Sequence, residues 1–119
     1  MRCMPSKRAE SALFDIRDNI LLARQFTAGL TMEAFKDDQL RFYAVARCLE
    51  IVSEASRRLH ASVRARHAAL PWRSIMDVGN FYRHEYDNVA EEYVWRTVQH
   101  SLAPLLAAVE QEIERLSRP

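Results

Sequence analysis

The sequence predicts an all-α fold, a four-helix up-down bundle, on three observations. Glycine and proline are scarce, with two and four among 119 residues, too few for the tight turns an all-β chain needs. Apolar residues recur at spacings of three and four over long stretches, which is the period of one helix face. Hydrophobic residues make up 49% and charged residues 28% of the chain, the balance of an ordinary globular protein. The length suits a single domain over residues 1–119 with its own core.

The first helix is expected from about Lys7 to Ala28, capped by Ser6, with Leu13, Ile16, Ile20 and Ala23 on its apolar face. Gly29 stands where a helix ends in a left-handed residue. Thr31 caps a short turn, Met32 to Lys36, and Asp37 or Asp38 caps a second long helix to about Leu59. The stripe of that helix is Phe42, Val45, Leu49, Val52, Ser56 and Leu59, spaced for antiparallel packing on the first. Phe42 and Tyr43 are assigned to the helix interface, and Glu54 precedes Arg58 by one turn, the favourable order for a helical ion pair.

His60 to Leu70 reads as a solvated loop with a small basic cluster of Arg64, Arg66 and His67. Pro71 pre-sets the start of a third helix, Trp72 to about Arg83, with Trp72, Ile75, Met76 and Gly79 inward. Glycine inside a helix costs about 1 kcal/mol relative to alanine, so Gly79 marks close approach of another helix or subunit. A fourth helix follows from about Ala90 to Leu116, with the stripe Val94, Trp95, Val98, Leu102, Leu105, Val109, Ile113 and Leu116. Pro104 should kink or restart it, with Ser101 as the cap of the restart.

Composition excludes several functions. With 17 basic and 16 acidic residues the net charge is +1, so nucleic-acid binding by bulk attraction is excluded and any RNA contact is local. No apolar run approaches the roughly 20 residues of a membrane span, and no signal-peptide core follows the charged first residues. A soluble, cytoplasmic protein is expected. Cys3 and Cys48 have no metal spacing and read as reduced thiols, Cys48 as core filler. His60, His67 and His100 are too scattered for a metal site and read as surface residues. Trp72 and Trp95 have the register of core residues rather than of base-stacking platforms. No Ser-His-Asp or Cys-His arrangement stands out, and neither metal nor cofactor is expected.

The densest polar and aromatic run is Asn80-Phe81-Tyr82-Arg83-His84-Glu85-Tyr86-Asp87. In a helix Asn80 and His84 share a face, and the dipole at the C-terminus favours a charged imidazole, so His84 could exchange a proton near neutral pH. Arg83 carries a phosphate-matching fork, and Tyr86 carries a phenol. Glu85 adds a negative charge, unhelpful toward RNA phosphate.

In order and spacing, several motifs together resemble the HepT-like toxins of the HEPN superfamily, across the whole chain. They are Leu70-Pro71-Trp72-Arg73, then Gly79-Asn80-Phe81-Tyr82-Arg83-His84-Glu85-Tyr86, then Val94-Trp95-Arg96-Thr97-Val98, then Leu102-Ala103-Pro104-Leu105. Upstream, Ala44 to Ala55 is similar to the family's second-helix block, which normally has glycine before its Glu-Ala pair, where this chain has Ser53 before Glu54-Ala55.

The resemblance implies a HEPN-type four-helix bundle, with a kinked fourth helix, that forms a homodimer. It implies a toxin partnered by a small MntA-type nucleotidyltransferase antitoxin, and a metal-independent endoribonuclease acting on RNA. By position, His84 is the catalytic candidate, Asn80 supports it, and Tyr86 is the acceptor of AMP transferred by the partner. The family's signature arginine, just before the asparagine, is here Gly79, which leaves Arg83 as the nearest arginine and the candidate for phosphate charge. The alternative is a noncatalytic helical partner of the nucleotidyltransferase.

Overall fold

The computed structural model describes residues 7–81 and 88–118. Among them every regular element is helical, as expected: α1 (Lys7–Thr27), α2 (Met32–Lys36), α3 (Gln39–Arg58), α4 (Ala61–Arg66), α5 (Trp72–Met76), α6 (Val89–Arg96) and α7 (Leu102–Ser117). A π-helical turn, Thr97–Ser101, joins α6 to α7. The chain is thus divided more finely than into four helices. Two long helices and the continuous run α6–π–α7 carry the core, and short helices join them.

Apolar periodicity builds the core where the sequence places it. Leu13, Ile16, Ile20 and Ala23 of α1 are buried against the stripe of α3, whose Phe42, Val45, Leu49, Val52 and Ser56 are buried as well. The polar contacts give the direction of packing. Arg41, at the start of α3, donates to the Phe26 carbonyl at the end of α1 (2.8 Å), whereas Arg58, at the end of α3, pairs with Asp15 (2.7 Å). The two helices are therefore antiparallel. Arg58 also makes the expected pair with Glu54, at 3.1 Å. Gly29 has φ +76° and ends the first hairpin arm as expected. Thr31 caps α2, and of the two aspartates it is Asp38 that caps α3. Cys48 is buried, and burial pushes its thiol pKa up.

Four expectations outside the candidate site need correction. The His60–Leu70 segment is not all loop. His60 Nδ1 accepts the Ser62 amide (3.1 Å) and caps α4, whose Val63 is buried. Six residues are too few to show periodicity, and histidine is not among the preferred caps. Tyr43 is 56% exposed rather than interfacial, although its ring meets Phe42 edge-on. Leu116 is 43% exposed, because it lies beyond Glu112, the last buried position of α7. Finally, the restart near Pro104 is not a side-chain cap, since Ser101 makes no capping bond. Instead the helix widens: the Leu102 amide bonds the Thr97 carbonyl five residues back. That widening falls just before Pro104, whose ring would press on the carbonyl four residues back in a regular helix.

Candidate functional site

Of the sequence-predicted site residues, Asn80 is described, while Arg83, His84 and Tyr86 lie outside the described residues. α5 ends at Met76 and Asp77–Gly79 form a turn, so Asn80 is not helical. This corrects the expectation of a helix to about Arg83 and removes the argument that Asn80 and His84 share a helical face. Asn80 instead folds back on the turn: its amide donates to the Asp77 carbonyl (2.9 Å), and its Nδ2 reaches Asp77 Oδ1 (3.4 Å).

The helix stops because side chains of other elements take its backbone groups. Arg57 of α3 donates to the Met76 carbonyl (2.6 Å). Tyr93 of α6 donates its phenol to the Val78 carbonyl (3.2 Å). Ser53 of α3 accepts the Gly79 amide (2.5 Å). Each bond supplies a partner that a continuing helix would have supplied internally.

Gly79 is required by space and not by its dihedral angles, since Gly29 alone among the described residues has positive φ. A Cβ at position 79 would lie 2.8 Å from Glu50 Cα, 2.9 Å from the Leu49 carbonyl oxygen and 2.9 Å from Ser53 Oγ. Two of those neighbours are helix backbone and cannot step aside. The close approach read from the sequence is therefore to α3. An arginine at position 79 is incompatible with this backbone.

Beyond the turn, Phe81 is half-buried against Phe42 and Tyr93, with ring centroids 6.1 and 5.8 Å away. Beside the turn lies a cavity of about 230 Å³ whose wall carries the hydroxyls of Ser74, Tyr93, Thr97 and Ser101. Burial raises the Tyr93 pKa, and the nearby Asp77 carboxylate raises it further, against a hydrogen bond to Thr97. This phenol is thus a donor and not a nucleophile at neutral pH. Among the described residues no group of three or more His, Cys, Asp or Glu side chains could hold a metal ion. None of their helices is long and apolar enough to cross a membrane.

The sequence reading missed a second polar centre, built around Glu112 of α7. Its side chain is 4% exposed. Arg66 grips both its oxygens, Nη2 donating to Oε1 (2.5 Å) and Nε to Oε2 (3.1 Å), and His67 Nε2 lies 2.7 Å from Oε2. The Arg115 Nε stands 3.7 Å away. Arg66, first, and His67 hold the Glu112 pKa below the ordinary carboxylate range, against burial, which would raise it. A groove of about 380 Å³ runs past this cluster. The signal was present in the sequence: Glu112 falls three residues after Val109 on the apolar stripe, and an inward acid calls for a basic partner such as the Arg64–His67 cluster.

Comparison with known proteins places these features. A model of the family described as "Ribonuclease HepT-like" matches residues 16–112, a span that includes both α3 and the turn around Gly79. A Thermococcus cleftensis protein named a probable ribonuclease HepT is 31% identical over 99 residues, covering 83% of this chain and 90% of the relative. A Methanocaldococcus jannaschii protein, provisionally named as an RNase, is 25% identical over 111 residues, covering 93% of this chain and 92% of the relative. A second from that organism, named in the same way, is 26% identical over 107 residues, covering 90% and 98%. No solved structure matches significantly. With the family model spanning most of its length and the helical framework in place, the chain belongs to the HepT-like ribonuclease family.

Proposed function

We propose that this single-domain chain, residues 1–119, is the toxin of a toxin–antitoxin pair, a cytoplasmic, homodimeric, metal-independent endoribonuclease. The observation that carries the reading is the family match over residues 16–112, together with relatives named as ribonucleases. In the proposed reaction the 2′-oxygen of a ribose attacks the adjacent phosphorus as its proton is removed. The bond to the 5′-oxygen breaks, and that oxygen leaves with a proton. His84 serves these proton transfers, Arg83 stabilises charge on the phosphate, and Asn80 supports the site from its turn. A nucleotidyltransferase of MntA type silences the toxin. The Tyr86 phenol oxygen attacks the α-phosphorus of ATP, pyrophosphate leaves, and the phenolic proton passes to base.

Induction of the chain alone is expected to arrest growth of a bacterial host, while His84→Ala is expected to permit it. In vitro, His84→Ala should slow RNA cleavage about 10²–10⁴-fold, the usual share of general acid–base catalysis. Continued toxicity of the folded variant would sink the assignment. After incubation with the partner and ATP, the intact mass should rise by whole AMP units, and Tyr86→Phe should abolish that rise. Labelling of Tyr86→Phe equal to wild type would place the acceptor elsewhere.

One observation favours a second reading, a noncatalytic partner of the nucleotidyltransferase. Position 79, where the family pattern has arginine, has no room for a side chain. Normal growth with both proteins, each shown to be folded, would select it.

A further inference from the structure

We propose that Ser53 is a positioning residue of the site: by accepting the Gly79 amide it seats the turn that carries Asn80 against the backbone of α3, where position 79 can only be glycine. The inference rests on the reading that Asn80 and the residues after it act on RNA.

Serines and threonines buried in helices commonly return their hydroxyl to their own helix. Ser56, one turn along α3, does so with the Val52 carbonyl (2.7 Å), and Thr27 of α1 does so with Ala23 (3.0 Å). Ser53, only 2% exposed, spends its oxygen on another element, at the residue preceding Asn80. Arg57 and Tyr93 also hold the turn, but their bonds fall earlier, on Met76 and Val78. Ser53 alone among the three holds the residue next to Asn80.

Ser53 and Gly79 face one another: a Cβ on residue 79 would meet Ser53 Oγ at 2.9 Å, and the α3 backbone at Glu50 Cα (2.8 Å) and at the Leu49 carbonyl oxygen (2.9 Å). The α3 backbone and the hydroxyl together fill the space that a side chain at position 79 would enter, and the hydroxyl binds the amide that this close approach brings within reach. The cation of this site accordingly comes from a residue other than 79, and a side chain introduced at position 79 injures the site.

The test uses this chain with Ser53→Ala, Ser53→Thr and Gly79→Arg. In Ser53→Ala the Gly79 amide should exchange about tenfold faster, the loss of one hydrogen bond, while the Leu49 and Val52 amides of α3 keep their wild-type rates. Cleavage of a model RNA should lose kcat with KM held, and Ser53→Thr, which keeps the hydroxyl, should recover both readouts. Gly79→Arg should lower the urea midpoint. Equal exchange at Gly79 in wild type and Ser53→Ala would overturn the proposal, as would an unchanged urea midpoint in Gly79→Arg. Exchange and unfolding need no activity, so a wild type that cleaves no RNA would count against the ribonuclease reading and leave the role of Ser53 to be decided by these measurements.

Discussion

Glu112→Ala is expected to lower the unfolding free energy by about 3 kcal/mol, the low end of the range for removing one partner of a buried ion pair. The low end applies because Arg66, 38% exposed, can turn to water once its carboxylate is gone, whereas His67, 15% exposed, can do so less. The effect should carry a pH signature. A carboxyl whose pKa is depressed in the folded state stabilises the fold fully above its unfolded value of about 4.3. That contribution is lost as pH falls through the lower folded value. The Glu112 pKa is lowered, by Arg66 first and then His67. The stability gap between wild type and Glu112→Gln should therefore be wide at about pH 6 and should narrow at about pH 3. Urea denaturation at the two pH values measures it, and a gap that widens in acid would refute this account of the cluster.

Phe35→Ala should cost about 3–4 kcal/mol, the usual penalty for emptying a buried phenylalanine site. Phe35 is fully buried, and its ring meets Phe42 of α3 and Trp95 of α6 at centroid distances of 6.2 and 5.6 Å. It is the only buried residue of α2, a five-residue helix too short to hold itself. The denaturation midpoint should fall with no change in slope. A midpoint within experimental error of wild type would mean that α2 does not anchor the run from α6 to α7.

Why some elements were readable and others were not follows from length. α1 and α3 each present several turns of one face, so Leu13 to Ala23 and Phe42 to Ser56 announce both the helix and its buried side. Thr31, Asp38 and Gly29 were legible because a cap or a left-handed turn needs a particular residue type. α4 was hidden by its brevity and by a histidine cap. The end of α5 was hidden for a different reason: nothing in Trp72–Arg83 breaks a helix strongly, and it stops because Arg57, Ser53 and Tyr93 capture its backbone from a distance. Such long-range capture leaves no local mark. Glu112 did leave one, an acid on the inward stripe of α7, although its partners lie some 45 residues away in the chain. At the candidate site, Gly79 was correctly read as a point of close approach, and Asn80 was given the wrong local geometry.

The π turn at Thr97–Ser101 makes the length of this stretch a matter of phase. Its five-residue bonds hold more chain per turn than a regular helix does, so Val94, Val98 and Leu102, spaced four and four, all remain buried. Trimming one residue there would leave a smooth helix of nearly the same reach and nearly the same phase, because the wide turn already holds one residue more than a regular turn needs. Leu105 and Val109 would keep facing the core, and Glu112 would keep facing Arg66 and His67. The same deletion made within α7, where no such slack exists, would turn everything after it by about 100° and carry the inward face off the core.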